Sequence, residues 1–160
     1  MAGGIEMRAL AQRADAALLN AEVARASVVL DCTDNFATRQ AINAACVQHR
    51  TPLVEGSAIR FAGQVSAFNL AQPDSACYAC LFPPEQEVEA VACATMGVFA
   101  PLVGVVGTLQ AAEALKLLAG AGAPLTGRLL MVDLRRTDFS EIRLRRQPGC
   151  EVCGAAAGDA

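Results

Sequence analysis

The stretch "SVVLDCTDNFATRQAINAACVQH", residues 27–49, decides the fold. Its first five residues form a short, nearly continuous apolar run, the pattern of a central parallel strand covered on both faces. "CTDN" follows at once and supplies side chains that cap a helix start. Residues 35–49 then read as an amphipathic helix. Ile42, Ala45 and Cys46 share one face, while Arg39, Gln40 and Asn43 face elsewhere. A buried strand that turns through a cap into a helix is the repeating unit of an α/β sheet.

Upstream, "IEMRAL" (5–10) alternates as a strand would, and "DAALLNAEVARA" (15–26) has apolar residues at helical spacing. Downstream, "PLVEGSAI" (52–59) reads as a second buried strand, and "GQVSAFNL" (63–70) as an antiparallel neighbour reached through a turn at "RFAG". Residues 71–96 show no periodicity and read as a long loop, which in a compact domain is functional or pinned. "GVFAPLVGVVGTLQAAEALKLLAG" (97–120) is the main helix, read as buried, with Gly104 and Gly107 permitting close backbone packing. "RLLMVDL" (128–134) and "FSEIRLR" (139–145) are late strands, the second alternating apolar residues with charges. The expected class is α/β: a Rossmann-like, mostly parallel sheet with added antiparallel strands and a zinc knuckle, in one domain spanning residues 1–160. "AGG" at 2–4 follows no strand, so it is not a dinucleotide fingerprint.

The 160 residues are 54 % apolar but only 4 % aromatic, so the core is aliphatic. A net charge of −3 offers no broad basic field for nucleic acid. Arg143, Arg145 and Arg146 in "EIRLRRQ" read as a solvated strand face. The most apolar run, Val98 to Leu109, is 12 residues long, where a bilayer span needs ~20. "MAGGIEMRAL" lacks the pattern of a signal peptide, so a cytoplasmic, reducing location is expected, with no membrane partner. Such a compartment counts against structural disulfides.

Two CxxC pairs, "CYAC" (Cys77, Cys80) and "CEVC" (Cys150, Cys153), stand 69 residues apart. They admit a tetrathiolate metal site, two redox dithiols or two disulfides. Two thiolates from one knuckle and two from another complete a tetrahedron suited to zinc. Redox work needs the pair at a helix N-terminus, where a thiol pKa falls, and neither pair reads that way. Zinc would staple the long loop to the chain's last strand.

Two further positions carry chemistry. In an open α/β sheet the ligand crevice lies outside the C-terminal strand ends. Asp34 in "DCTDN" therefore either helps hold Mg²⁺ on a bound polyphosphate or simply caps a helix, and Asp31 bonds nearby backbone. Cys93 in "VACATMG" precedes the main helix and is either a nucleophilic thiol or a small buried residue. Cys32 and Cys46 read as core positions, and His49 as solvated or C-capping.

The ordered set "DCTDNFATR", "PLVEGSAIRFAGQVSAF", "CYACLF", "TMGVFAPLVGVVGTLQAAEALKLLAG" and "GCEVCG" resembles the ThiF/MoeB/HesA family, relatives of ubiquitin-activating enzymes, from about Ile5 to Gly154. The resemblance implies ATP- and Mg²⁺-dependent adenylation of the C-terminal glycine of a ubiquitin-like sulfur carrier in molybdopterin or thiamine biosynthesis. It implies Asp34 as the Mg-ATP residue, Cys77, Cys80, Cys150 and Cys153 as structural zinc ligands, and Cys93 as a thiol that meets the carrier. Arg60 in "AIRFAG" matches a family motif without an assigned role. The expected partners are the carrier and a second copy in a homodimer. The family's Gly-rich strand–turn–helix and its phosphate-binding arginines and lysine are not in this sequence. The N-terminal nucleotide-binding half is thus expected to be missing, and the chain alone inactive. The other reading is a zinc-stapled, non-catalytic module that binds a ubiquitin-like partner or dimerises.

Overall fold

The structure, a computed structural model, describes residues 4–85 and 96–154. Helix α1 (Ala16–Val23) begins where the Asp15 carboxylate accepts from the Leu18 amide, and helix α2 (Phe36–His49) where Asn35 accepts from Thr38. Between them lies strand β1 (Val29–Asp31). Helix α2 ends at Arg50 in a left-handed turn, and the chain returns as β2 (Leu53–Ile59) alongside β1 in parallel. Strand β3 (Ala62–Phe68), the single-turn helix α3 (Tyr78–Leu81), the long helix α4 (Ala100–Ala119), β4 (Arg128–Asp133) and β5 (Asp138–Arg143) follow.

The five strands lie in sequence order, β1-β2-β3-β4-β5. The α/β reading holds, but the parallel part is a single pairing: β2 through β5 form an antiparallel meander. The short connections at 60–61 and 134–137 allow only antiparallel neighbours. Residues 5–10 form no strand; Ile5 is 88 % and Met7 90 % exposed. Three alternating apolar residues cannot hold an extended segment that finds no edge to pair with.

Strand alternation splits the core in two. Leu53 packs with α1, α2, Phe68 and Tyr78 on one face, while Val54 packs with Val65, Leu102, Val106 and Val132 on the other. Fully burying each such side chain contributes about 2 kcal/mol. Helices α1 and α2 thus cover one side of the sheet and α4 the other. Helix α4 is not buried all round: Leu102, Val106, Gln110, Glu113 and Ala114 face the sheet, but Val103, Leu115 and Leu118 are exposed. It is long and apolar enough to span a bilayer, yet here it lies on a sheet with two polar side chains inward.

Close packing against α4 uses different glycines from those expected. An added methyl at Gly104 or Gly107 would meet nothing, whereas at Gly56 it would lie 2.3 Å from the Gln110 side chain. The sheet, not a neighbouring helix, makes the close approach.

Candidate functional site

The two CxxC turns converge. Cys77 opens α3, where the Cys80 amide donates to the Cys77 carbonyl. The second knuckle closes when the Gly154 amide donates to the Cys150 carbonyl at 2.7 Å, and a methyl on Gly154 would sit 2.4 Å from that oxygen. All four sulfurs lie within 4.8 Å of one another. The separations are 3.9 Å for Cys77–Cys80, 3.7 Å for Cys77–Cys150 and 3.4 Å for Cys80–Cys153. These exclude S–S bonds. A tetrahedron with metal–sulfur bonds of ~2.3 Å has edges of ~3.8 Å, so the four fit a thiophilic ion such as zinc.

The surrounding shell completes the fit. The Gln147 amide points at Cys80 Sγ (3.4 Å), and Asn43 of α2 reaches Cys77 Sγ (3.8 Å) while accepting from the Tyr78 amide. Arg146, far from being solvated strand decoration, donates to the carbonyls of Pro73 and Cys153 at 2.6 Å each, joining loop and final turn. The Cys77 thiol and the Gln147 amide hydrogen-bond the Cys80 sulfur and, against its burial, pull it down to about 4. Its partner in that bond, Cys77, is pushed far above the ordinary thiol range by the bond itself and then by burial. Burial, then hydrogen bonding to Cys80, raises Cys153 to about 11. One thiolate is accommodated by the other groups; four require a cation among them.

The second feature is the turn after β1. Asp31, 1 % exposed, accepts at Oδ1 from the Thr33 amide (2.9 Å) and hydroxyl (2.7 Å), bonding nearby backbone as its strand-end position suggested. Gln110 of α4 donates to the Asp31 carbonyl at 2.8 Å. From α2, Arg39 donates to the Thr33 carbonyl, to Glu55 of β2 and to the Gly56 carbonyl. Asn35, not Asp34, caps α2. Asp34 is exposed at the C-terminal end of β1, and its carboxylate takes no hydrogen bond among the described residues. The turn is held from behind and leaves one carboxylate outward.

Arg39 and Asn43 are four residues apart on α2 and both buried. Sequence periodicity placed them away from the apolar face; in fact their face is the polar joint from which α2 reaches both the turn and the cysteine knuckle. Glu55 and Gln110 lie within stretches of the ordered set, but neither was singled out as a site residue. Burial outweighs the attraction of Arg39 and lifts Glu55 to about 7.

The remaining cysteines divide. Cys46 is fully buried, with its thiol pushed up to about 12 by burial and then by Asp31. Cys32 is exposed, not core, with Sγ 3.6 Å from Gln110. Cys93 lies outside the described residues. His49 meets Asn20 at 3.3 Å near the end of α2. Arg60 adopts φ 51° at the tip of the β2–β3 hairpin, where its backbone bonds Gly97 and Phe99 and anchors the entry to α4.

A family model described as "ThiF family" matches residues 1–152. The chain is 50 % identical over 156 residues to the sulfur carrier protein ThiS adenylyltransferase of Escherichia coli (strain K12), covering 97 % of this chain and 61 % of that protein. It is 49 % identical over 140 residues to the molybdopterin-synthase adenylyltransferase of the same strain, covering 88 % of this chain and 55 % of that protein. This chain therefore spans little more than half of their length. Among solved structures, E. coli MccB with ATP matches with a TM-score of 0.71 at 20 % identity, covering 89 % of this chain and 44 % of that one. That likeness is one of fold.

Proposed function

The chain belongs to the ThiF family, and on that premise we propose that it carries the metal-stapled part of an adenylyltransferase acting on the C-terminal glycine of a ubiquitin-like sulfur carrier, of the thiamine or molybdopterin type. The observation that carries this reading is the turn at 31–35. Its backbone is held by Asp31, Arg39 and Gln110, while the Asp34 carboxylate, at a parallel strand's C-terminal end, has no partner among the described residues. At such a strand end a carboxylate can take one position on Mg²⁺ bound to ATP phosphates.

In the reaction proposed, the carrier's terminal carboxylate attacks the α-phosphate and pyrophosphate leaves. The protein's share is to position both groups and offset charge. Asp34 orients the metal-bound nucleotide, and Cys93 supplies the thiol that meets the activated carrier. Cys77, Cys80, Cys150 and Cys153 hold a structural zinc that ties loop to final turn. The Gly-rich phosphate cradle and its cations are not among these 160 residues. We therefore expect the chain alone to bind its carrier without turning over.

A pyrophosphate-exchange assay with a ThiS- or MoaD-type carrier, run beside calorimetric carrier binding, tests the reading. Expected are carrier binding, no exchange by the 160-residue chain, and weak Mg·ATP binding that Asp34→Ala abolishes. Failure to bind any such carrier would overturn it. Carrier binding with no nucleotide affinity at all would favour the second reading, a non-catalytic, zinc-stapled binding module.

A further inference from the structure

Behind the acidic turn lies a buried ion pair that the proposed chemistry does not touch. Arg39 is 8 % exposed and Glu55 0 %. Glu55 uses one carboxylate oxygen on Arg39; the other, Oε2, is buried without a close hydrogen-bond partner among the described residues, although the nearby Gln64 side chain on β3 also favours the charged carboxylate. An incompletely satisfied buried pair is a poor stabilising device, since well-packed apolar residues of similar volume do as well or better. An orphaned buried oxygen calls for a reason.

The local fold does not supply that reason. Asn35 already caps α2, Asp31 already closes its own turn onto Thr33, and β1 already pairs with β2. What Arg39 adds is a rigid link between the Thr33 carbonyl, directly before Asp34, and the β2 backbone at Gly56. The guanidinium's rigid planar fork spreads its donors over three acceptors in fixed directions, whereas a lysine's three donors rotate on one nitrogen.

We propose that Arg39, oriented by Glu55, is a positioning residue for Asp34: it fixes the carbonyl before Asp34 and so the direction in which that carboxylate meets a metal-bound polyphosphate. The role rests on the nucleotide reading above for its ligand, but not for its geometry.

The test uses the full 160-residue chain. Residue-resolved amide exchange at 32–35 reads the turn without ligand, and calorimetry with Mg·ATP reads its use. The apolar replacement Arg39→Met with Glu55→Leu should keep the thermal midpoint and the protection of α2 and β2. It should speed exchange in the turn about tenfold or more and weaken Mg·ATP by about ten- to a hundredfold. Arg39→Lys should likewise keep the thermal midpoint but retain only part of the turn's protection, separating geometry from charge. Glu55→Gln covers the case in which the double variant fails to fold: it should loosen the turn less than loss of Arg39. Unchanged exchange at 32–35 in a folded variant would overturn the proposal. Loosening of the turn in the variants, together with a wild-type chain that never binds Mg·ATP, would sink the nucleotide reading and leave the positioning role standing.

Discussion

The two candidate regions are built alike and end differently. Each is a tight turn held by side chains from α2, Asn43 at the cysteine knuckle and Arg39 at the acidic turn. At the knuckle the functional atoms face one another, four sulfurs within 4.8 Å. At the turn the candidate group, the Asp34 carboxylate, is exposed and takes no hydrogen bond among the described residues. Closed donor sets make structural metal sites, while an open position is what a ligand needs. The first region should therefore govern stability and the second binding.

The largest effect should come from breaking the closed set. Cys77→Ser is expected to abolish stoichiometric zinc and to cost more than about 4 kcal/mol, measured by metal analysis and denaturant unfolding. Chelation of the wild type should do the same. A stable, zinc-free chain would erase the distinction between the regions.

Next comes the pair behind the turn. Glu55 titrates near 7 in the fold against an ordinary 4.5. A carboxyl raised in this way stabilises fully below its unfolded value and loses that contribution as pH climbs from about 4.5 to 7. The loss amounts to roughly 3 kcal/mol. Unfolding midpoints across that range should fall in the wild type and flatten in Glu55→Gln. An equal slope in both would show that the turn's support carries no strain.

Arg146→Ala sharpens the closed side. Removing two charge-assisted bonds to Pro73 and Cys153 should cost about 2 kcal/mol and lower zinc affinity in a competition assay, without touching the turn. The smallest stability effect belongs to Asp34→Ala, within about 0.5 kcal/mol of wild type, with Mg·ATP binding lost. If Asp34→Ala destabilised the fold as Arg146→Ala does, the turn would be structural after all.

Much of this was legible in the residues. The strand–cap–helix unit at 27–49, the late antiparallel strands and the cysteine pairing each rest on local spacing or on rare residue types. What stayed hidden is one class of residue. Arg39, Asn43, Glu55, Gln110 and Arg146 are polar, so pattern reading placed them at the surface or passed them over, yet all but Arg146 are buried; four of them bond backbone or sulfur of other elements, and Glu55 bonds Arg39. Cys32 erred the other way, exposed although it follows a buried strand. The alternation at 5–10 misled because pairing needs a partner strand, which no single segment declares.

The sequence by itself determined most of the elements and that two cysteine pairs are spaced to suit one ion, because periodicity, caps and ligand chemistry act over a few residues. Only the tertiary structure decided where α2 aims Arg39 and Asn43, how little of the sheet is parallel, and that Asp34 is left free. Those outcomes depend on backbone carbonyls and carboxylates brought together from different elements of the fold, and a polar side chain reveals its partner only when burial strips away the water that would otherwise serve.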